Sequence, residues 1–188
     1  MASPDAKPDS LLAAGSPPWP DVPACYGWLS LDRRGAWRLK GEVVRHPGLT
    51  AFLNRNYGRE PGGCWLVRNG PQRVYVDLDY APWVFRLAGE ASLHTHARSD
   101  AGAVQGVWFD ETGNVLIAAG VGPGLLDDRD LGAFVDECVG ADGGPIDETA
   151  LLAAMHGGAG VVWRGLAVGT LRSDEVPARF GFRRAPEA

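Results

Sequence analysis

From Tyr26 onward, apolar and polar positions alternate as they do in half-buried strands. Leu29 and Leu31 fall on one face of a strand over residues 27–31, and Trp37 and Leu39 on one face of a second over 36–40. Between them Asp32-Arg-Arg-Gly35 is a four-residue loop ending in glycine, which predicts a β-hairpin. The period then lengthens. Leu49, Phe52, Leu53 and Tyr57 recur at helical spacing after Pro47, whose missing N–H has no partner to lose at a helix start, and Gly58 predicts the stop. Strand patterns return at residues 64–68, 73–78, 82–87 and 93–96, the first two joined by a turn at Asn69-Gly-Pro71.

The same order then recurs. Val107-Trp-Phe-Asp-Glu-Thr-Gly-Asn-Val115 matches Leu29-Ser-Leu-Asp-Arg-Arg-Gly-Ala-Trp37 at an offset of 78, with Asp110 on Asp32 and Gly113 on Gly35. Leu131-Gly-Ala-Phe-Val135 matches Leu49-Thr-Ala-Phe-Leu53 at an offset of 82, and Pro177-Ala-Arg-Phe180 echoes Pro82-Trp-Val-Phe85 at 95. The growing offset implies insertions, including a second helix over residues 147–156 that carries Leu151, Leu152 and Met155. These matches predict an α+β fold of two similar, mostly antiparallel halves with short helices, built by internal duplication. The halves are expected at residues 26–98 and 99–188. They follow an arm over residues 1–25, where proline is too frequent for helix or sheet interior and where Trp19 is the side chain expected to pack on the body.

Composition narrows the class. With 188 residues, 45% apolar and 22% charged, the chain has globular usage and enough length to bury a core unaided. The longest apolar stretch, near Val115–Val121, is broken by glycine well short of the ~20 residues a membrane span requires. Three cysteines, Cys25, Cys64 and Cys138, form no C-x-x-C pair, and no basic-then-apolar leader opens the chain, so a reducing cytoplasm is the expected compartment. The net charge of −5 is unevenly spread: −2 over residues 1–25, +5 over 26–98 and −8 over 99–188. An overall acidic balance disfavours nucleic acid as a partner. The basic segment could face an anionic ligand or the acidic segment itself.

Four features carry candidate chemistry. His94 and His96 share a strand face and could meet one metal ion, but no third ligand stands at a telling spacing, and two solvated polar residues are the plainer reading. Gly120-Val-Gly-Pro-Gly124 could cradle phosphate, yet no lysine follows it and Asp127 and Asp128 would repel an anion, which favours a flexible loop. Asp77 and Asp79 share a face and could hold a cation or simply solvate a strand, with Arg68, Arg73 and Arg86 as candidate ion-pair partners. No serine sits in a G-x-S-x-G elbow, and both Cys64 and Cys138 fit small core residues better than nucleophiles. Most tryptophans fall in strand patterns and read as core; Trp83, beside Pro82 and Arg86, is the candidate for ligand stacking.

The succession Asp32-Arg-Arg-Gly-Ala-Trp-Arg-Leu-Lys-Gly41, the helix after His46-Pro47, Cys64-Trp-Leu-Val67 and Val74-Tyr-Val-Asp-Leu-Asp-Tyr-Ala-Pro-Trp-Val84 resembles a proteobacterial family of unknown function, over about residues 27–120. That resemblance implies a duplicated α+β core whose second half is pleckstrin-homology-like. It also implies a nucleotide-like ligand bound between the halves, in signalling, without an assigned activity or cofactor. Together with the basic segment and the repeat, it makes Arg68, Arg73, Trp83, Arg86 and Arg98 the expected ligand-binding residues, because a guanidinium pairs with phosphate through two hydrogen bonds and stacks on bases. The expected function is therefore a non-catalytic regulatory module. A metal-dependent enzyme using His94 and His96 and a protein-interaction domain are the alternatives.

Overall fold

The computed structural model describes residues 18–89 and 92–188, and these residues run through fourteen strands and four α-helices. The first stretch comprises β1 (Ala24–Leu31), β2 (Trp37–Leu39), β3 (Glu42–Val43), α1 (Pro47–Asn56), β4 (Tyr57–Arg59), β5 (Trp65–Asn69) and β6 (Gln72–Leu78). These strands form one sheet in the order β3-β2-β1-β6-β5-β4, antiparallel except where β1 lies parallel to β6. Two further strands, β7 (Trp83–Ala88) and β8 (Ser92–Thr95), form a hairpin. Then come β9 (Val104–Phe109), β10 (Val115–Ala119), β11 (Gly122–Leu126), α2 (Leu131–Asp136), β12 (Cys138–Gly140), α3 (Glu148–Met155), β13 (Val161–Trp163), β14 (Leu166–Thr170) and α4 (Val176–Phe180).

The second sheet runs β12-β13-β14-β9-β10-β11-β7-β8. Its first six strands repeat the first sheet strand for strand, with β9 parallel to β14 as β1 is to β6. The two hairpins match in register: Leu29 faces Leu39 and Leu31 faces Trp37, while Val107 faces Ile117 and Phe109 faces Val115. The expected duplication is thus a duplication of topology.

The loops agree atom by atom. In the first, the Asp32 N–H donates to Ala36 O, and Asp32 Oδ1 accepts from the N–H groups of Arg34 and Ala36 at 3.0 and 2.9 Å. In the second, the Asp110 N–H donates to Asn114 O, and Asp110 Oδ1 accepts from Thr112 and Asn114, each at 2.9 Å. Gly35 and Gly113 take φ of 76° and 84°, a left-handed turn that an L side chain resists.

Three details depart from the sequence reading. Residues 177–180 form helix α4 while residues 82–85 lead into strand β7, so that third match is a coincidence of composition. The helical match is one residue out: Tyr57 and Cys138 open corresponding strands, which places Leu53 on Phe134, both fully buried. Helix α1 ends at Asn56 rather than Gly58, since Tyr57 is already extended (φ −79°, ψ 136°) and pairs with Val67 in β4. His46 caps the start of α1, its Nδ1 accepting from the Leu49 N–H, and Leu49 and Leu53 bury the inward face.

The described residues divide into two compact units, one of residues 18–80 with 181–188 and one within residues 81–180. Strands β7 and β8 therefore go with the second unit, where β7 pairs in parallel with β11, and not with the first half as the boundary at residue 98 implied. The final residues return to the first unit through the Arg183 N–H on Gly63 O and the Leu78 N–H on Arg184 O. Most of the expected arm lies outside the described residues. Trp19 is buried, edge-on to Trp28 at 4.9 Å and to Phe52 at 6.1 Å, with its indole N–H on Gln72 Oε1. Gln72 Nε2 donates to Pro20 O and Val22 O, which ties the entering chain to β6.

The two loop aspartates differ in burial: Asp110 is 2% exposed and Asp32 is more open. Asp110 also accepts from the Thr112 hydroxyl and the Asn114 amide. Asp110→Ala is accordingly expected to cost about 2–3 kcal/mol and Asp32→Ala about 1 kcal/mol, because losing an acceptor strands more donors at the buried site. Urea titration of both variants checks the difference.

Candidate functional site

Two parallel neighbours in a sheet present their carboxyl ends at one edge, and the chain leaving each must diverge there, which opens a crevice. In the second unit β9 and β14 are such a pair, with Phe109 opposite Thr170 as the last rung. The Leu171 N–H still reaches Phe109 O at 2.9 Å; beyond it β9 turns into its hairpin and β14 runs out toward α4. Helix α3 closes the third side. Asp147 Oδ1 caps it by accepting from the Ala150 N–H, and Gly157, at φ 91°, ends it, so Met155 and His156 stand at the rim. The resulting cavity is about 290 Å³ and is lined by Phe109, Glu111, Met155, His156, Gly157, Thr170, Leu171, Arg172 and Glu175.

Its floor is apolar and its rim charged. Ser173 donates its N–H to Glu111 Oε2 at 2.8 Å and its hydroxyl to Oε1, and these bonds, the hydroxyl's foremost, hold the Glu111 carboxyl below the usual carboxylate range. Arg172 lays Nε and Nη2 on the two oxygens of Asp174 at 3.1 and 3.3 Å, which raises the guanidinium and lowers the carboxyl. Glu175 Oε2 accepts from the Arg172 N–H. The cleft therefore offers fixed carboxylates around an arginine that is already engaged.

The residues singled out from sequence fall in different places. Arg68 and Arg73 face each other across β5 and β6 in the first unit, and both reach Glu60, at 3.9 and 3.0 Å. Glu60 in turn accepts from the Tyr75 hydroxyl, and Tyr75 stacks on Tyr26 at 4.4 Å. Trp83, Arg86 and Arg98 belong to the second unit. Arg86 makes a two-pronged pair with Asp130 at 2.7 and 2.9 Å, and Asp130 also takes the Leu87 N–H. Trp83 is buried with its N–H on Val121 O, and Arg98 sits in the turn after β8 at φ 63°. The three arginines weighed from sequence as partners for Asp77 and Asp79 pair instead with Glu60 (Arg68 and Arg73) and Asp130 (Arg86).

His94 is exposed opposite Arg86, while His96 packs on Trp83 at 5.3 Å with Nδ1 accepting from the Val84 N–H. Among the described residues no three His, Cys, Asp or Glu side chains gather to hold a metal. The glycine segment expected as a loop is largely strand β11. Gly124 lies under the Phe85 ring, where a Cβ would collide, so this glycine answers to core packing. Asp127 caps the 3-10 turn Asp128–Asp130, and Arg129 pairs with it. Cys138 is buried, its thiol pushed up to about 12 by burial and then by Glu137.

Sequence reasoning did not single out Glu111, Arg172 or Glu175, and it weighed His156 only as a third metal ligand beside His94 and His96. The available signal was the insertion: β4 and β5 are joined by residues 60–64, whereas β12 and β13 are joined by residues 141–160, which contain α3. The place where the second copy outgrows the first is the place where the cleft's third wall arises.

The family model of DUF2944, described as protein of unknown function (DUF2946), matches residues 9–187, and the chain belongs to that family. No curated protein matches it. Among solved structures, a DUF1285 family protein from Silicibacter pomeroyi DSS-3 is similar over 90% of this chain and 94% of its own, at 15% identity and a TM-score of 0.54, a likeness of fold. A DUF1285 family protein from Shewanella baltica OS155 covers 58% of this chain and 91% of its own, at 15% identity and a TM-score of 0.44.

Asp77 and Asp79 supply a pH test in the first unit. Burial raises both carboxyls; Asp79 adds to the rise at Asp77, and Asp32 to that at Asp79, where Arg38 and Arg33 oppose it. A carboxyl whose folded pKa lies above its unfolded value favours folding while protonated and opposes it once ionised. Asp77→Asn is therefore expected to stabilise the protein at pH 7, by less than about 1 kcal/mol given its contact with water. The gain should vanish below about pH 4, where the unfolded aspartate is protonated as well. Thermal melts from pH 3 to 8 read it directly.

Proposed function

We propose that this DUF2944 family chain is a non-catalytic regulatory module that takes a small ligand into the cleft of its second unit. The observation that carries this reading is the inserted helix α3, which meets the carboxyl ends of β9 and β14 around a cavity of about 290 Å³. Small-ligand sites have this composition, an apolar floor with a few convergent polar groups, and gather at the open ends of parallel strands. Two features favour binding over catalysis. Glu111 is held away from the near-neutral pKa that suits general acid–base work. The Cys138 thiol is buried and pushed the wrong way for a nucleophile.

A second reading keeps the anionic, nucleotide-like ligand and rests on Arg68 and Arg73. Like charges directly opposed on neighbouring strands are unfavourable, and Glu60 is one carboxylate set against two guanidinium groups whose side chains are 59% and 53% exposed. An added phosphate would complete the neutralisation. A pleckstrin-homology-like signalling role for the second half belongs to the same reading; strands followed by a terminal helix, α4, support it, and the parallel pairings of β7 with β11 and β9 with β14 set it apart.

The chain's own methionines provide the assay. There are two, Met1 and Met155, and only the second lines the cleft. With isotope-labelled methionine methyls, fragments that enter the cleft are expected to move the Met155 resonance and leave Met1 in place, and Thr170→Trp should abolish the response by filling the cavity. A fragment library that leaves Met155 unmoved at millimolar concentration would remove the cleft reading. The second reading is checked by thermal shift with mono-, di- and cyclic nucleotides at low salt. A ligand at a hundred times its Kd adds about 2.7 kcal/mol, at roughly 2–4 °C per kcal/mol for a chain of this size. That shift should be lost in Arg73→Ala and kept in Arg86→Ala, whose partner Asp130 is in the other unit.

A further inference from the structure

Resting on the cleft as a binding site, we infer that its ligand carries an ammonium group on a compact apolar body. The first ground is the charge left over after internal pairing. Arg172, the arginine on the rim, is engaged through two nitrogens by Asp174 and is also within the field of Glu111 and Glu175, so one guanidinium stands against three carboxylates and the rim keeps a negative excess. An anion entering here would face more carboxylates than cations. The second ground is orientation. Ser173 fixes Glu111 from its N–H and hydroxyl, one to each oxygen, and a carboxylate of about four acceptor positions keeps room for an incoming donor. Glu175 is likewise steadied through one oxygen by the Arg172 N–H at 3.3 Å.

The third ground separates an amine from a metal ion. Calcium calls for six to eight oxygen ligands and magnesium for near-octahedral oxygen geometry. The described residues hold no such cluster, and a third of this lining is the apolar Phe109, Met155 and Leu171. An ammonium group asks for only three acceptors and tolerates an apolar wall behind it. The cavity's size admits a body of roughly ten non-hydrogen atoms, toward the small end of ligand sites.

The test uses the full chain with labelled methionine methyls and a matched series: phenethylammonium, phenethyl alcohol and hydrocinnamate, with calcium chloride as a fourth arm. The amine is expected to shift Met155 saturably, with the alcohol and the acid weaker by about tenfold. Glu111→Gln and Glu175→Gln, both at exposed positions, should each weaken the amine about fivefold, as expected for a water-exposed ion pair, and leave the alcohol unchanged. If the alcohol or the acid binds as well as the amine, the cleft remains a binding site and the ammonium inference falls. If calcium alone shifts Met155, the cation is a metal and the inference falls in that way. If none of the four moves it, the inference falls together with the reading beneath it.

Discussion

Each repeat hangs on a parallel pairing between its first and last strand. Parallel neighbours cannot be joined by a tight turn, so the chain between β1 and β6 must travel out and return, and everything between them is that excursion. The hairpin to β2 and β3 extends the sheet on one side. Helix α1 then carries the chain across, and β4 and β5 return antiparallel on the other side until β6 docks against β1. Leu29, Leu31, Val76 and Leu78 meet at that central seam, and all are buried. The second copy repeats the device with Val107, Phe109 and Val168. This constraint also decides where a site can form, because it leaves two strands ending together at an edge that neither hairpin nor helix is obliged to fill.

The two copies treat that edge differently. In the first unit it holds Asp32, Asp79 and Arg38, with Tyr80 between the guanidinium groups of Arg33 and Arg184, each at 4.9 Å from its ring. Short side-chain bonds and cation–π contacts occupy the space, and burial, with Asp32 alongside, raises the Asp79 carboxyl above its ordinary value. In the second unit the corresponding edge borders on the inserted α3, and the polar groups are arranged around a cavity. Duplication supplied the frame, and an insertion in one copy turned an edge into a cleft.

How much of this was readable follows from what each signal depends on. The hairpins were legible because an aspartate accepting two backbone N–H groups and a glycine at positive φ are local requirements, met by residues four apart. The duplication was legible through them. Proline was a poorer guide: Pro82 and Pro177 look alike in sequence, but one precedes a strand stabilised by β11 and the other opens no strand at all. The glycine segment at residues 120–124 misled for a similar reason. Phosphate cradles and strands that pass beneath an aromatic ring both demand glycine, and only the partner, here Phe85, tells them apart. The cleft residues come from β9, α3 and the segment after β14, some sixty positions apart, and no spacing rule joins them.

Charge is the clearest case of a pattern visible in sequence whose meaning is set by folding. The segment 26–98 is basic and 99–188 acidic, which suggested a long-range pairing or an anionic ligand. The ion pairs described above close within a unit, Arg73 with Glu60 and Arg38 with Asp32 in the first, Arg86 with Asp130 and Arg129 with Asp127 in the second. What distinguishes the units is then the remainder. In the first, two arginines share one carboxylate; in the cleft of the second, carboxylates outnumber the arginine, and that arginine is spent on Asp174. Screening erodes exposed charges beyond about 8–10 Å at ordinary ionic strength, so a ligand senses these local remainders and not the net charge of the chain. A single chain can thus present a cationic surface and an anionic cleft at once, each set by the few side chains around it.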